Sequence, residues 1–257
     1  MNLNLSSLFS TKSRKGKQIK FVILFFERSG SSWLVDMLNS HPEISCLPEA
    51  FYLNWDKNAG KIGKPAYTKP EDIEQQLHRI YESPKAQSCG FKFKYPIQYN
   101  KYPDVVEFLN ANKETIRMIF LYRKNRLKGA ISSQNNLRLR KLNKTSNLVG
   151  KDTDLEPLKL DIKKAINYTE WRERSDFNFF NWAKEFTHLH IVTYENLLTD
   201  TFQSVADICS FLEVSPTYKP SSKIRKATPD SIRQAITNYD ELQEQLRCHP
   251  LEKYLDF

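Results

Sequence analysis

The sequence predicts a single α/β domain with a central parallel β-sheet flanked by helices, and three observations carry that prediction. The apolar run at 20–26 has the length and composition of a fully buried strand, and further strands are expected at 44–47, 89–94, 116–122 and 189–194. Apolar residues recur at helical spacing over 31–39, and further helices are expected over 70–81, 103–112, 125–142, 162–184, 201–212 and 231–247. Strands alternating with helices assemble as a parallel sheet covered on both sides, and 257 residues suffice for one such domain. It is expected over 20–257, behind a flexible, polar and basic segment at 1–19 that has no core pattern.

In chain order, the run at 20–26 is continuous and rich in Phe, Ile and Val, as a fully buried strand requires. The helix that follows gathers Trp33, Leu34, Met37 and Leu38 on one face, and Ser40-His41-Pro42 ends it, because the residue before a proline is pushed out of the α region. Residues 54–69 and 145–160 are the two long irregular stretches, and no internal repeat or low-complexity tract is present.

No segment reaches the roughly 18 to 20 apolar residues that span a bilayer. Cys46, Cys89, Cys209 and Cys248 form no CxxC pair and no cluster with the five histidines, which argues against a disulfide framework and a metal site. A cytoplasmic chain with reduced thiols and no membrane partner is expected. The formal charge of +9 is localised. From 115 to 150 there is no acidic residue, whereas Arg117, Arg123, Lys124, Arg126, Lys128, Arg138, Arg140, Lys141 and Lys144 fall there. Such a segment attracts anions: nucleic acid, anionic lipid or a polyphosphorylated small molecule. The alternative is a solvated helix face.

The stretch "FFERSGSSWLVDMLNSHP" (25–42) leads from the first strand into the first helix. Ligands of open parallel sheets bind beyond the carboxyl ends of the strands, and a helix N-terminus presents free N–H groups and the positive end of its dipole. Gly30 allows close backbone approach, Ser29, Ser31 and Ser32 add hydroxyls, and Arg28 adds a fixed charge. This composition suits an anion of phosphate size. It is not a Walker A loop, because no glycine is followed by Lys-Ser or Lys-Thr. A second strand, 116–122, runs into Arg123-Lys124-Asn125-Arg126 and a helix carrying Ser132 and Ser133, with Asn125 placed to cap it. Two anion cradles imply one ligand with separated charged groups.

The two motifs together resemble those of the sulfotransferases that use 3′-phosphoadenosine 5′-phosphosulfate (PAPS). Arg28-Ser29-Gly30-Ser31-Ser32-Trp33 is similar to their phosphosulfate loop, and Tyr122 to Ser133 to their 3′-phosphate motif. "HIVTYENLLTDTFQSVADICSFLEV" resembles their C-terminal strand and helix, with Tyr194-Glu195-Asn196-Leu197 as signature; "HPEISCLPEAFYL" is similar to a carboxylate-bearing segment of bacterial members. The resemblance spans about 20 to 246 and implies a P-loop-like sulfotransferase fold. It also implies PAPS as donor, adenosine 3′,5′-bisphosphate (PAP) as product, no metal, and a small-molecule acceptor, with nucleic acid excluded as a partner. In the family the 3′-phosphate arginine stands eight residues before its serine; here that position is Lys124, with Arg123 one further back. Either residue could hold the phosphate, and the planar guanidinium fork favours Arg123.

The resemblance assigns Arg28 and the Gly30–Trp33 amides to the leaving group, and Glu49 to the general base, a role that a histidine fills in many eukaryotic members. Phe51 joins Glu49 on the acceptor side. Lys92 and Lys94 alternate with Phe91 and Phe93, so the lysines share one sheet face; Lys92 either touches the sulfonate or forms a solvated edge. Trp33 either stacks near the adenine or belongs to the core. Arg225 and Lys226 resemble residues that close over the nucleotide. Asp152, Asp154 and Glu156 lie where the family builds its acceptor pocket; they either select a cationic acceptor such as an alkaloid or form an ordinary exposed acidic loop, and carbohydrate, lipid and phenolic acceptors stay open. The rival readings are a nucleic-acid-binding protein, from the acid-free segment, and a small-molecule kinase with a degenerate P-loop.

Overall fold

The computed structural model describes residues 18–48, 50–56, 61–82, 86–141, 148–149, 156–225 and 228–255. All but two residues of the expected N-terminal segment lie outside that set. Its elements, in chain order, are β1 (Ile19–Phe25), α1 (Ser31–Asn39), β2 (Ile44–Leu47), β3 (Leu53–Asp56), β4 (Lys61–Pro65), α2 (Pro70–Tyr81) and β5 (Ser88–Lys94). Next come α3 (Ile97–Lys101), α4 (Pro103–Ala111), β6 (Arg117–Tyr122), α5 (Arg126–Lys141), β7 (Leu148–Val149), α6 (Ile162–Ala183) and β8 (Leu189–Thr193). The chain continues through α7 (Tyr194–Thr199), α8 (Thr201–Phe211), β9 (Ile224–Arg225), α9 (Ile232–Ala235) and α10 (Tyr239–Leu246).

Five strands form one sheet in the order β2-β5-β1-β6-β8, and every neighbouring pair is parallel. The central strand is the most apolar one. Its alternate residues feed two cores. Phe21, Ile23 and Phe25 pack towards α1 and α8; Val22, Leu24 and Phe26 pack towards α2, α4 and the C-terminal half of α6. Burying each such side chain contributes about 1.5–3 kcal/mol, which makes the middle of the sheet a rigid base. A third cluster joins α5 and the start of α6 to α9, α10 and Tyr254. Gly90 is required where β5 meets β1, because a Cβ there would lie 2.4 Å from the Phe21 carbonyl oxygen.

Three expectations need correction. The irregular stretch at 54–69 contains the antiparallel pair β3–β4. Tyr194 opens a helix rather than ending a strand, since the Thr193 hydroxyl accepts the Asn196 amide at 3.1 Å and caps α7. The helix expected over 231–247 divides into α9 and α10. Its centre is drawn instead into pairing with the strand-like segment before α6: Thr237 N donates to Leu158 O at 2.9 Å, and buried Asn238 bonds both the amide (2.9 Å) and the carbonyl (3.0 Å) of Leu160. Tertiary hydrogen bonds there outweigh helix propensity.

Candidate active site

β1 and β6 are neighbours in the sheet, and each ends in a turn that leads to a helix. In the first turn Arg28 (φ 63°) and Gly30 (φ 82°) are both left-handed and flank Ser29. The Ser29 hydroxyl donates to the Phe26 carbonyl at 2.7 Å and so braces the turn. The first bond of α1 runs from Leu34 N to Gly30 O at 3.0 Å, and no side chain caps the helix. The amides of Ser31, Ser32 and Trp33 therefore precede the helical ladder, pointing their positive ends out of it. Gly30 is fixed twice over, by its positive φ and by the Tyr194 ring, which would lie 2.6 Å from an added Cβ. From the adjacent strand, Lys92 reaches the same turn: its Nζ donates to Ser32 Oγ at 3.2 Å. Only 4 % exposed, Lys92 lies between two other strands and is not a solvated edge.

The second turn is held from behind. Glu195 accepts the amides of Lys124 (2.9 Å) and Asn125 (3.1 Å), one on each carboxylate oxygen. Asn125 Oδ1 caps α5 through Lys128 N at 2.8 Å, and its Nδ2 donates to the Tyr254 carbonyl at 2.8 Å. Arg123 is 7 % exposed, its guanidinium 4.6 Å from the centre of the Tyr194 ring. Its Nε is buried with no hydrogen-bond partner among the described residues. Ser132, two turns into α5, accepts a 2.9 Å hydrogen bond from Arg28 Nε, so the turns meet. Burial lowers the pKa of both guanidinium groups; Glu27 opposes this at Arg28, Tyr194 and Glu195 oppose it at Arg123, and repulsion from Arg123 adds to it at Arg28. An anion seated between them relieves both effects.

Behind the turns lies a network that the sequence did not announce. Asp176 receives Arg126 Nε on one oxygen at 2.7 Å and Arg172 Nη2 on the other at 3.2 Å. Arg172 is 1 % exposed, stacks 3.9 Å from the centre of the Phe26 ring, and donates to Glu27 O at 3.4 Å and Tyr168 Oη at 3.2 Å. Tyr254 closes the group, accepting from Arg126 at 2.8 Å and donating to Glu173 at 2.7 Å. Arg172 and Asp176 are four apart in α6, a spacing common to surface ion pairs; only the tertiary contact with Arg126 marks them as a buried support.

The structure brings Arg28, Ser29, Gly30, Ser31, Ser32, Lys92, Arg123 and Ser132 together around these turns. Trp33 packs against the core, its ring edge-on to Tyr194 at 6.4 Å. Lys124 contributes a backbone amide to Glu195. Phe51 is fully buried, its ring among Phe91, Phe93, Tyr67 and Tyr102, so that side chain is a core residue rather than an acceptor contact. Glu49, Asp152, Asp154 and Lys226 lie outside the described residues, and Arg225 is described only as the backbone of β9, paired with Leu148 of β7. His41 is structural: Nδ1 accepts the Glu43 amide at 3.1 Å, and Nε2 meets Ser215 O at 3.1 Å. Among the described residues, no helix is long and apolar enough to cross a membrane.

An open parallel sheet with a glycine turn into a helix, and a second basic turn on the neighbouring strand, defines a P-loop-like fold for transferring an anionic group. Residues 21–218 match the family described as the sulfotransferase family, and the chain belongs to it; it is a transferase of the EC 2.8.2 type. No curated protein matches the sequence. Among solved structures, a sulfotransferase from Alicyclobacillus acidocaldarius shares the fold at 17 % identity and a TM-score of 0.54, covering 93 % of this chain and 95 % of its own. Also similar are the sulfotransferase domain from the curacin biosynthetic pathway (18 % identity, TM-score 0.46, 94 % and 96 % covered) and mouse sulfotransferase SULT7A1 complexed with PAP (13 %, 0.44, 99 % and 93 %).

Proposed function

We propose that the protein moves the sulfuryl group of PAPS to a hydroxyl or amine of a small acceptor. When bound, PAPS supplies the sulfuryl group for in-line transfer to the acceptor atom. The observation that carries this reading is the Arg28–Ser132 hydrogen bond, which joins the two strand-end turns into one site. The unpartnered, buried Nε of Arg123 supports it, since a buried donor without an acceptor is costly until an anion supplies one. Arg28 and the Ser31–Trp33 amides would hold the phosphosulfate end, where negative charge grows on the departing oxygen. Lys92, at Ser32, would add a cation to the sulfonate. Arg123, Ser132 and Lys128 would hold the 3′-phosphate, and Trp33 and Tyr194 would flank the base. Arg225 and Lys226 would close over the nucleotide, and a cationic acceptor would meet Asp152 and Asp154.

The nucleic-acid reading is weakened by where four of the nine basic residues of the segment are engaged. Arg117 pairs with Glu213, Arg126 with Asp176, Arg138 donates to the Glu156 and Pro157 carbonyls, and Arg123 is buried. Cations engaged in this way are less available to a phosphate backbone, while Arg140 and Lys141 are exposed cations at the end of α5. The kinase reading still lacks its Walker lysine.

The experiment is a thermal shift without magnesium, comparing PAP, ATP and duplex DNA. Selective stabilisation by PAP is the expected result; equal stabilisation by ATP, or stabilisation by DNA alone, overturns the assignment.

A further inference from the structure

We propose that Glu27 is the catalytic carboxylate that takes the proton from the acceptor; this rests on the sulfotransferase reading above and names its base. Glu27 follows the last core residue of β1 and directly precedes Arg28, so its backbone is part of the phosphosulfate turn. One carboxylate oxygen, Oε2, is held by Lys94 Nζ at 2.9 Å, from the end of the neighbouring strand β5. The other, Oε1, has no partner among the described residues, and the side chain is 34 % exposed. Its backbone carbonyl accepts from Arg172, itself fixed by Asp176. The carboxylate is thus positioned from two sides with one oxygen left for a ligand.

The other carboxylates around the two turns are already committed. Both oxygens of Glu195 bind backbone amides, and both oxygens of Asp176 bind guanidinium groups. Stability does not account for the Glu27–Lys94 pair, because partly exposed ion pairs contribute about 0–1 kcal/mol. Its surroundings suit an acceptor. Trp171, 37 % exposed, lies edge-on to Phe26 at 5.9 Å and beside Tyr168 at 5.6 Å, and Tyr168 is near enough to Glu27 to feel its charge, so this aromatic group fits an acceptor with a flat or apolar body. In the step itself, the acceptor O–H bond breaks as its oxygen bonds to sulfur, and the proton passes to Glu27 Oε1. The bond from sulfur to the bridging oxygen breaks with its electron pair, leaving PAP with a charge that Arg28 and the first-turn amides hold. Water then removes the proton from Glu27.

The test compares Glu27→Gln with Glu49→Gln. Release of PAP from PAPS is followed with water as acceptor, and PAP affinity is measured by calorimetry. Glu27→Gln is expected to slow turnover about 10²- to 10⁴-fold, the usual contribution of a general base, while PAP affinity stays within about threefold. Glu27→Asp should recover part of the rate. Near-normal turnover in Glu27→Gln overturns the proposal, as does a loss confined to Glu49→Gln or a parallel loss of PAP affinity, which would mark Glu27 as a support of the turn. If the unaltered protein neither binds PAP nor consumes PAPS, the donor assignment falls and the role of Glu27 with it.

Discussion

Arg28 Nε and Ser132 Oγ, 104 residues apart in sequence, meet at 2.9 Å. The bond crosses from the β1 turn to α5 and makes the two halves of the donor site a single electrostatic unit. Its acceptor is a small buried hydroxyl; under the proposed function the remaining N–H groups of Arg28 would serve the anion.

Ser132→Ala should therefore weaken PAP binding roughly tenfold, in line with about 1.5 kcal/mol for a hydrogen bond to a charged group. Calorimetry on a variant whose melting temperature is unchanged provides the check.

Arg123 and Lys124 should part company. Arg123 is buried under Tyr194 with an unpartnered Nε, whereas Lys124 is tied in by its backbone amide. Arg123→Ala is expected to lower PAP affinity about a hundredfold and Lys124→Ala by less than about threefold, because only the former removes a buried guanidinium fork. Equal losses would contradict this.

Gly30→Ala should damage both fold and site. The new Cβ meets the Tyr194 ring at 2.6 Å in a backbone conformation that L-residues disfavour by about 1–2 kcal/mol. Tyr194 in turn carries Arg123, so displacing the ring disturbs the second turn as well. A fall in melting temperature together with loss of PAP binding is the expected signature, and Tyr194→Ala in the same background should restore part of the stability.

Asp176→Asn should cost about 3 kcal/mol in chemical denaturation, since it leaves the Arg172 and Arg126 guanidinium groups uncompensated. Replacing a comparable exposed partner, Asp240 beside Arg233, should change stability by less than about 1 kcal/mol.

Alkaline pH should reveal the C-terminal contact. Burial and the hydrogen bond to the Glu173 carboxylate push the Tyr254 phenol up to about 12, from about 10 in an unfolded chain. The folded state thus favours the neutral phenol. That contribution is complete below pH 10 and is lost as the pH rises from about 10 to about 12. Tyr254→Phe, compared by melting temperature across that window, should flatten this part of the decline.

Much of this could be read from residue order. The five sheet strands were expected to within a residue or two, most plainly β1, whose continuous apolar run suits a strand buried on both faces. The turns around Gly30 and Arg123 stood out in the sequence because glycine, hydroxyl and basic residues gather there at strand ends, and the structure places the two side by side. What escaped the sequence depends on contacts far apart in the chain. Nothing local marks Glu195 as the acceptor of two amides some 70 residues earlier, or Arg172 as a buried residue in a helix rich in charge. Phe51 shows the same limit from the other side. Its neighbours resemble an acceptor segment, yet its ring was drawn into an aromatic cluster assembled from β5 and the segments around Tyr67 and Tyr102.

The Glu195 clamp also sets an order of assembly. β8 is an edge strand, and the carboxylate immediately beyond it shapes the turn after β6. Until that edge strand docks, the turn after β6 lacks its clamp, and the nucleotide of the proposed function would have only half a berth. Under the proposed function, a chain that captures PAP would have finished folding at its far margin, and nucleotide capture would become a gauge of maturity for the whole sheet.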